Sequence, residues 1–166
     1  STTTIIETIE RGGTLTDGLA EAARKGFLEP DPELDLRGAD AAVKLAIVAG
    51  IITARRIDPR SIAADDLRTL DVLTVRARTR RNATTRLVAR MSENGSLSVR
   101  YEEVSRDSIL AAPCGRVVYE YTLDRDERRM HIGSGLGAAA TAGALFADIR
   151  ALAGEAAFRA GAEAGR

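Results

Sequence analysis

The chain has 166 residues, 45% of them hydrophobic, and its 24 basic side chains balance 24 acidic ones. That length suits one domain with a real core, and the zero net charge offers no bulk attraction to nucleic acid or to an anionic membrane. One Cys and one His exclude an intrachain disulfide framework and a soft-ligand zinc site, and the lone thiol fits a reducing, cytoplasmic setting.

Apolar spacing predicts a short helix over residues 4–11, closed by Gly12-Gly13. Thr14 or Thr16 caps a second helix, which runs through Leu15, Leu19, Ala22 and Ala23 to a stop at Gly26. An acidic loop follows, where Pro30 and Pro32 are expected to prevent helix propagation. A third helix is expected over residues 39–52, with Ala41, Val43, Leu45, Ala46, Ile47 and Val48 anchoring it in a core. The Asp58-Pro59 turn then leads to a helix over residues 64–79. Asp65-Asp66 at its start and arginines at its end both suit the helix dipole.

From there the period becomes alternating. Residues 85–91 and 97–104 read as strands joined by the hairpin turn Glu93-Asn94-Gly95-Ser96. Residues 117–123 and 130–132 read as a second pair around the charged turn 124–129. Gly133-Ser134-Gly135-Leu136-Gly137 opens a last, Ala-rich helix to about residue 153, and residues 154–166 extend it or form a tail. Residues 1–153 are therefore read as the functional domain. Helices first and strands after them spell α+β, with helices packed on a mainly antiparallel sheet. Apolar alternation (Val99, Tyr101; Val117, Tyr119, Tyr121) suits pairing with a second copy. No apolar run approaches the length needed to span a membrane, and residues 1–20 lack the pattern of a signal peptide. Aromatics are scarce and Trp is absent, which disfavours a base-stacking surface.

Residues 26–45 concentrate the chemistry. Glu29, Asp31, Asp35 and Asp40 lie in a stretch punctuated by Pro and Gly, and the helix that follows carries a single amine, Lys44. Asp40 and Lys44 are four apart, so on a helix they share a face within pairing distance. Acids around one amine at a loop-to-helix junction suit gripping a polar small molecule and moving a proton, with the amine expected to rise into the pocket the acids line. The bland alternative is a surface ion pair beside turn-forming acids, which is how Asp31 and Glu33 read. Thr2, Thr3 and Thr4 serve equally as helix caps. The glycine cluster is by itself weak evidence for a dinucleotide site, because no βαβ unit surrounds it. His131 and Cys114 read as structural.

The acidic stretch resembles the substrate-binding motif of homoserine dehydrogenases, oxidoreductases that interconvert homoserine and aspartate semialdehyde with NAD or NADP. Gly26, Glu29, Pro30, Asp31, Pro32, Asp35, Gly38, Asp40, Lys44 and Leu45 occupy the positions of the family pattern. Thr2-Thr3-Thr4 before Ile5-Ile6 resembles the end of the family's Thr-rich segment. Residues 133–141, with Asp148-Ile149 after them, resemble its Gly-rich turn and following helix. The chain departs from the pattern at Thr4 and Ile5, where the family usually has Asn and an aromatic, and at Leu136, where Ala is usual.

The resemblance implies a substrate-binding, catalytic domain of the aspartate pathway, serving threonine and methionine biosynthesis. Its nucleotide-binding domain is expected outside this chain, acting in cis or trans and holding most of the NADP or NAD. By the same resemblance Lys44 is the catalytic lysine that exchanges a proton with the substrate hydroxyl. Glu29 grips the substrate ammonium, Asp40 lies at the hydroxyl end, and Asp35 and Thr3 are further substrate contacts. Gly133, Gly135 and Gly137 approach the nicotinamide. Also implied are an amino-acid substrate and a homodimer formed through the sheet, with no nucleic-acid or membrane partner and no metal. The competing reading is a non-catalytic relative, a dimerisation or small-molecule-binding module.

Overall fold

The computed structural model describes residues 1–28, 31–123, 127–134 and 138–164. The chain divides into two compact units, Ser1–Cys114 and Gly115–Arg166. The first holds α1 (Thr2–Glu10), α2 (Leu15–Arg24), α3 (Glu33–Leu36), α4 (Ala39–Thr53), β1 (Ala63–Ala64), α5 (Val72–Arg80), β2 (Ala83–Met91) and β3 (Leu97–Ser105). β2 and β3 form an antiparallel hairpin with Leu87 opposite Tyr101, and β1 pairs parallel to the other side of β3. With strand order β1-β3-β2, the sheet is mixed but mostly antiparallel, and the fold is α+β as expected.

α1 and α2 form a tight helical pair. Ile5, Ile6 and Ile9 are buried on one side of α1, and Gly18 of α2 sits against it so closely that a Cβ there would lie 2.9 Å from Ile5 Cα. Thr14 caps α2 in a reciprocal capping box with Asp17, which satisfies two otherwise orphaned N–H groups.

α4 buries Ala42, Leu45, Ala46 and Ala49, an i, i+3, i+4, i+7 stripe packed with Ile62 and Val99. This corrects the expectation that Val43 and Ile47 anchor the helix. Both are exposed, along with Ile51, because the stripe of Leu45 and three alanines faces inward and these side chains fall on the opposite side of α4.

Two further expectations are corrected. Pro32 does not keep the acidic segment free of helix. It stands at the N-cap of the single turn α3, where its missing N–H is not needed. The continuous helix over residues 64–79 is instead β1, a 3₁₀ turn at Leu67–Thr69, and α5. Asp66 caps the 3₁₀ turn and Asp71 caps α5, so each acid starts its own element. Asp65 is drawn away to the sheet, where it accepts the Tyr101 N–H at 3.0 Å and pairs with Arg100.

The second unit contains β4 (Arg116–Thr122) and β5 (Arg128–Ser134), an antiparallel pair, and α6 (Ala138–Ala164). α6 runs on past residue 153 without a break. On β4, Val117, Tyr119 and Tyr121 stand exposed on one face, whereas Val99 and Tyr101 of the first unit are buried. These last two are therefore not free to pair with a second copy. Among the described residues no helix is long and apolar enough to cross a membrane.

Candidate functional site

The acidic segment reaches the first unit's core at Leu36, which is buried, and turns into α4 at Gly38. That glycine has φ +65°, and a Cβ there would meet Asp65 O at 3.1 Å, so the positive φ and the close approach both favour Gly. The turn sets Asp40 in the first turn of α4, with Lys44 one turn later. Lys44 Nζ donates to Asp40 Oδ2 at 2.6 Å, as the spacing predicts. The lysine side chain is 61% exposed. The expected enclosure of the amine is not what this chain presents, because Lys44 lies opposite the stripe that α4 buries. Val43, Ile47 and Ile51 of the same helix are exposed as well.

Asp35, on α3, accepts a hydrogen bond from Ser1 Oγ at 2.5 Å. The head of the Thr-rich helix and the acidic segment, 34 positions apart, therefore meet. Thr3 is half-buried on α1. Thr4 is fully buried and donates to Cys114 Sγ at 3.0 Å, which ties the same helix to the end of the first unit.

Glu29 lies outside the described residues, as do Gly135 and Gly137. Gly133 is the penultimate residue of β5, opposite Val117, with open space where a Cβ would stand. Because β5 pairs antiparallel with β4, no βαβ cradle forms there. Among the described residues no group of three His, Cys, Asp or Glu side chains is placed to hold a metal ion.

Sequence reasoning missed the residues that seat the acidic segment. Glu33, read as a turn-forming acid, pairs with Arg37 at 2.8 Å and with Arg68 at 2.9 Å. Arg68 also holds the Asp66 carboxyl at about 2, well below the usual carboxylate range, chiefly through their side-chain hydrogen bond. Beneath them the Tyr101 hydroxyl is buried without a partner. Burial raises its pKa, helped by the negative charges of Asp66, Asp65 and Asp35. Only the short spacing from Glu33 to Arg37 was visible as a pattern; the Arg68 contact joins segments 35 positions apart.

The fold and site define an α+β domain that presents one amine and several carboxylates at a loop-to-helix junction. A model of the homoserine dehydrogenase family matches residues 1–149, and the chain belongs to that family. It is 27% identical over 149 residues to the homoserine dehydrogenase of Corynebacterium glutamicum, a match covering 83% of this chain and 33% of that protein. Among solved structures, the homoserine dehydrogenase of Thiobacillus denitrificans is 27% identical with a TM-score of 0.78, covering 89% of this chain and 36% of that one. A hyperthermophilic archaeal homoserine dehydrogenase, solved in complex with NADPH, is 29% identical with a TM-score of 0.73, covering 89% of this chain and 43% of that one. The chain thus spans about a third or less of the length of the curated relatives it matches.

Proposed function

We propose that this chain is the substrate-binding, catalytic domain of a homoserine dehydrogenase, interconverting L-homoserine and L-aspartate 4-semialdehyde in the cytoplasm as part of aspartate-pathway amino-acid biosynthesis. The observation that carries the reading is the meeting of two family motifs in space. Ser1, at the head of the Thr-rich segment, bonds Asp35, and the same acidic segment leads directly into the Asp40–Lys44 pair.

In this reading Glu29 and Asp35 hold the ammonium end of the amino acid, Thr3 contributes to the same grip, and Asp40 and Lys44 take the hydroxyl end. Oxidation of the alcohol takes a hydride from the carbinol carbon and a proton from its oxygen. Bound NADP or NAD supplies the hydride acceptor. The neutral amine of Lys44 takes the proton and becomes the ammonium, and in the reducing direction the ammonium returns that proton to the same oxygen. Asp40 orients that nitrogen through their 2.6 Å contact.

Most of the dinucleotide is held by a separate nucleotide-binding domain, in cis or trans, with Gly133, Gly135 and Gly137 approaching the nicotinamide end. Without that domain the chain is inactive. The exposed Val43, Ile47 and Ile51 beside Lys44 give that domain an apolar face to cover, and covering it would enclose the amine. Two copies associate through the sheet, a role for which the exposed Val117, Tyr119 and Tyr121 are suited.

The test is kinetic. In the enzyme assembled with a nucleotide-binding domain, Lys44→Ala should lower kcat by about 10²- to 10⁴-fold, the range of a lost proton-transfer group. The isolated chain should bind L-homoserine, less tightly after Glu29→Ala, and should not bind NADP at micromolar concentration. Full activity in Lys44→Ala would overturn the role given to Lys44, and absence of activity in the unsubstituted assembly would favour the non-catalytic module.

A further inference from the structure

We propose that Arg68 is a positioning residue for the substrate segment, acting through Glu33; the inference rests on the dehydrogenase reading above. α3 is a single turn and cannot sustain itself as an isolated helix, yet it carries Asp35. Its apolar attachment is Leu36, 6% exposed in the core. Its polar attachment is Glu33. Arg68 Nη1 donates to Glu33 Oε1 at 2.9 Å, while Nη2 approaches Oε2 at 3.5 Å.

The same guanidinium is fixed before it reaches α3. Its Nε donates to Asp66 Oδ1 at 2.9 Å and its Nη2 to Asp66 Oδ2 at 2.5 Å, and Asp66 in turn accepts the Arg68 backbone N–H at 2.9 Å. Arg37 completes the network on the remaining side of Glu33. At the other end of α3, Gly38 rests against Asp65 O. Segment 65–68 therefore holds α3 from both ends, and Asp35 is presented from a seated turn rather than a free loop. Only a planar, forked cation can span both carboxylates in this way. A lysine ammonium supplies a point charge without the fork.

L-Homoserine titrated into the full chain, followed through the backbone amide NMR signals of Asp35 and Asp40, tests the assignment. Arg68→Ala and Glu33→Ala should each weaken binding by about 2- to 5-fold, the scale of an exposed ion pair. The double variant should bind no more weakly than Glu33→Ala alone, because the Arg68–Glu33 contact that reaches α3 is already lost in either single variant. Arg68→Lys should recover only part of the loss. A lower melting temperature with an unchanged dissociation constant would make Arg68 a surface brace and overturn the proposal, as would additive losses in the double variant. If the unsubstituted chain binds no homoserine, the dehydrogenase reading fails and takes this one with it. If it binds and Arg68→Ala binds equally well, the positioning role alone fails.

Discussion

Glu10 shows how much of the first unit depends on single polar groups. Its side chain is 5% exposed and accepts from Thr84 Oγ1 at 2.5 Å, from the Thr85 N–H at 3.2 Å and from Arg106 Nη2 at 2.9 Å. Glu10→Ala would strand two buried donors on β2, at a cost of about 2–3 kcal/mol measurable by urea unfolding. Arg86, beside it, is pushed below the usual guanidinium pKa by burial, with Glu7 and Glu10 opposing the shift. At the surface, Arg68 holds Asp66 at about 2 against an ordinary 3.8, and Arg24, then Lys25, hold Glu21 at about 2 against an ordinary 4.5. Both acids are depressed in the folded state, so the unfolded chain takes up protons first as the pH falls. Their stabilisation is complete above about pH 4.5 and is lost as the pH drops toward 2. Melting temperatures recorded across that window should fall on the acid side, and Asp66→Asn should flatten part of the slope. Glu21 and Asp66 each pair with near neighbours, whereas Glu10 and Arg106 are 96 positions apart and their pairing does not follow from residue spacing.

Among the elements, legibility followed the range of the forces involved. The threonine-capped start of α2, the limits of α4 near residues 39 and 52, and the β2–β3 hairpin were all readable, because each depends on neighbours within a few positions. The segment before α5 was not. Asp65 and Asp66 look like the acidic start of one helix, but one carboxylate is taken by β3 and the other caps a 3₁₀ turn. The α1–α2 contact is a case where local preference and packing disagree. Gly18→Ala should raise helix propensity by about 1 kcal/mol, yet its Cβ would lie 2.8 Å from Ile5 Cγ2 and 2.9 Å from Ile5 Cα. Backbone cannot yield there as a flexible side chain can. The variant should be net destabilised by about 1–3 kcal/mol in thermal or urea unfolding.

At the scale of the molecule the two units differ in what supports their strands. β2 and β3 lie in a three-stranded sheet, and β3 buries Val99, Tyr101 and Val104. β4 and β5 form a two-stranded pair whose Val117, Tyr119, Met130 and Ile132 are exposed. Such a pair is marginal alone. Amide hydrogen exchange should run roughly tenfold or more faster in β4–β5 than in β2–β3 of the chain by itself. From residue order alone came the α+β class, the acid-rich segment with its amine, and the Asp40–Lys44 pairing, since periodicity and i,i+4 spacing are local properties of the backbone. Folding alone settled which side of α4 meets the sheet, and so placed Lys44 in solvent. It also joined Ser1 to Asp35 and Arg68 to Glu33. Those outcomes depend on which side chains a close-packed interior admits and on contacts between segments more than 30 positions apart, neither of which a linear pattern encodes.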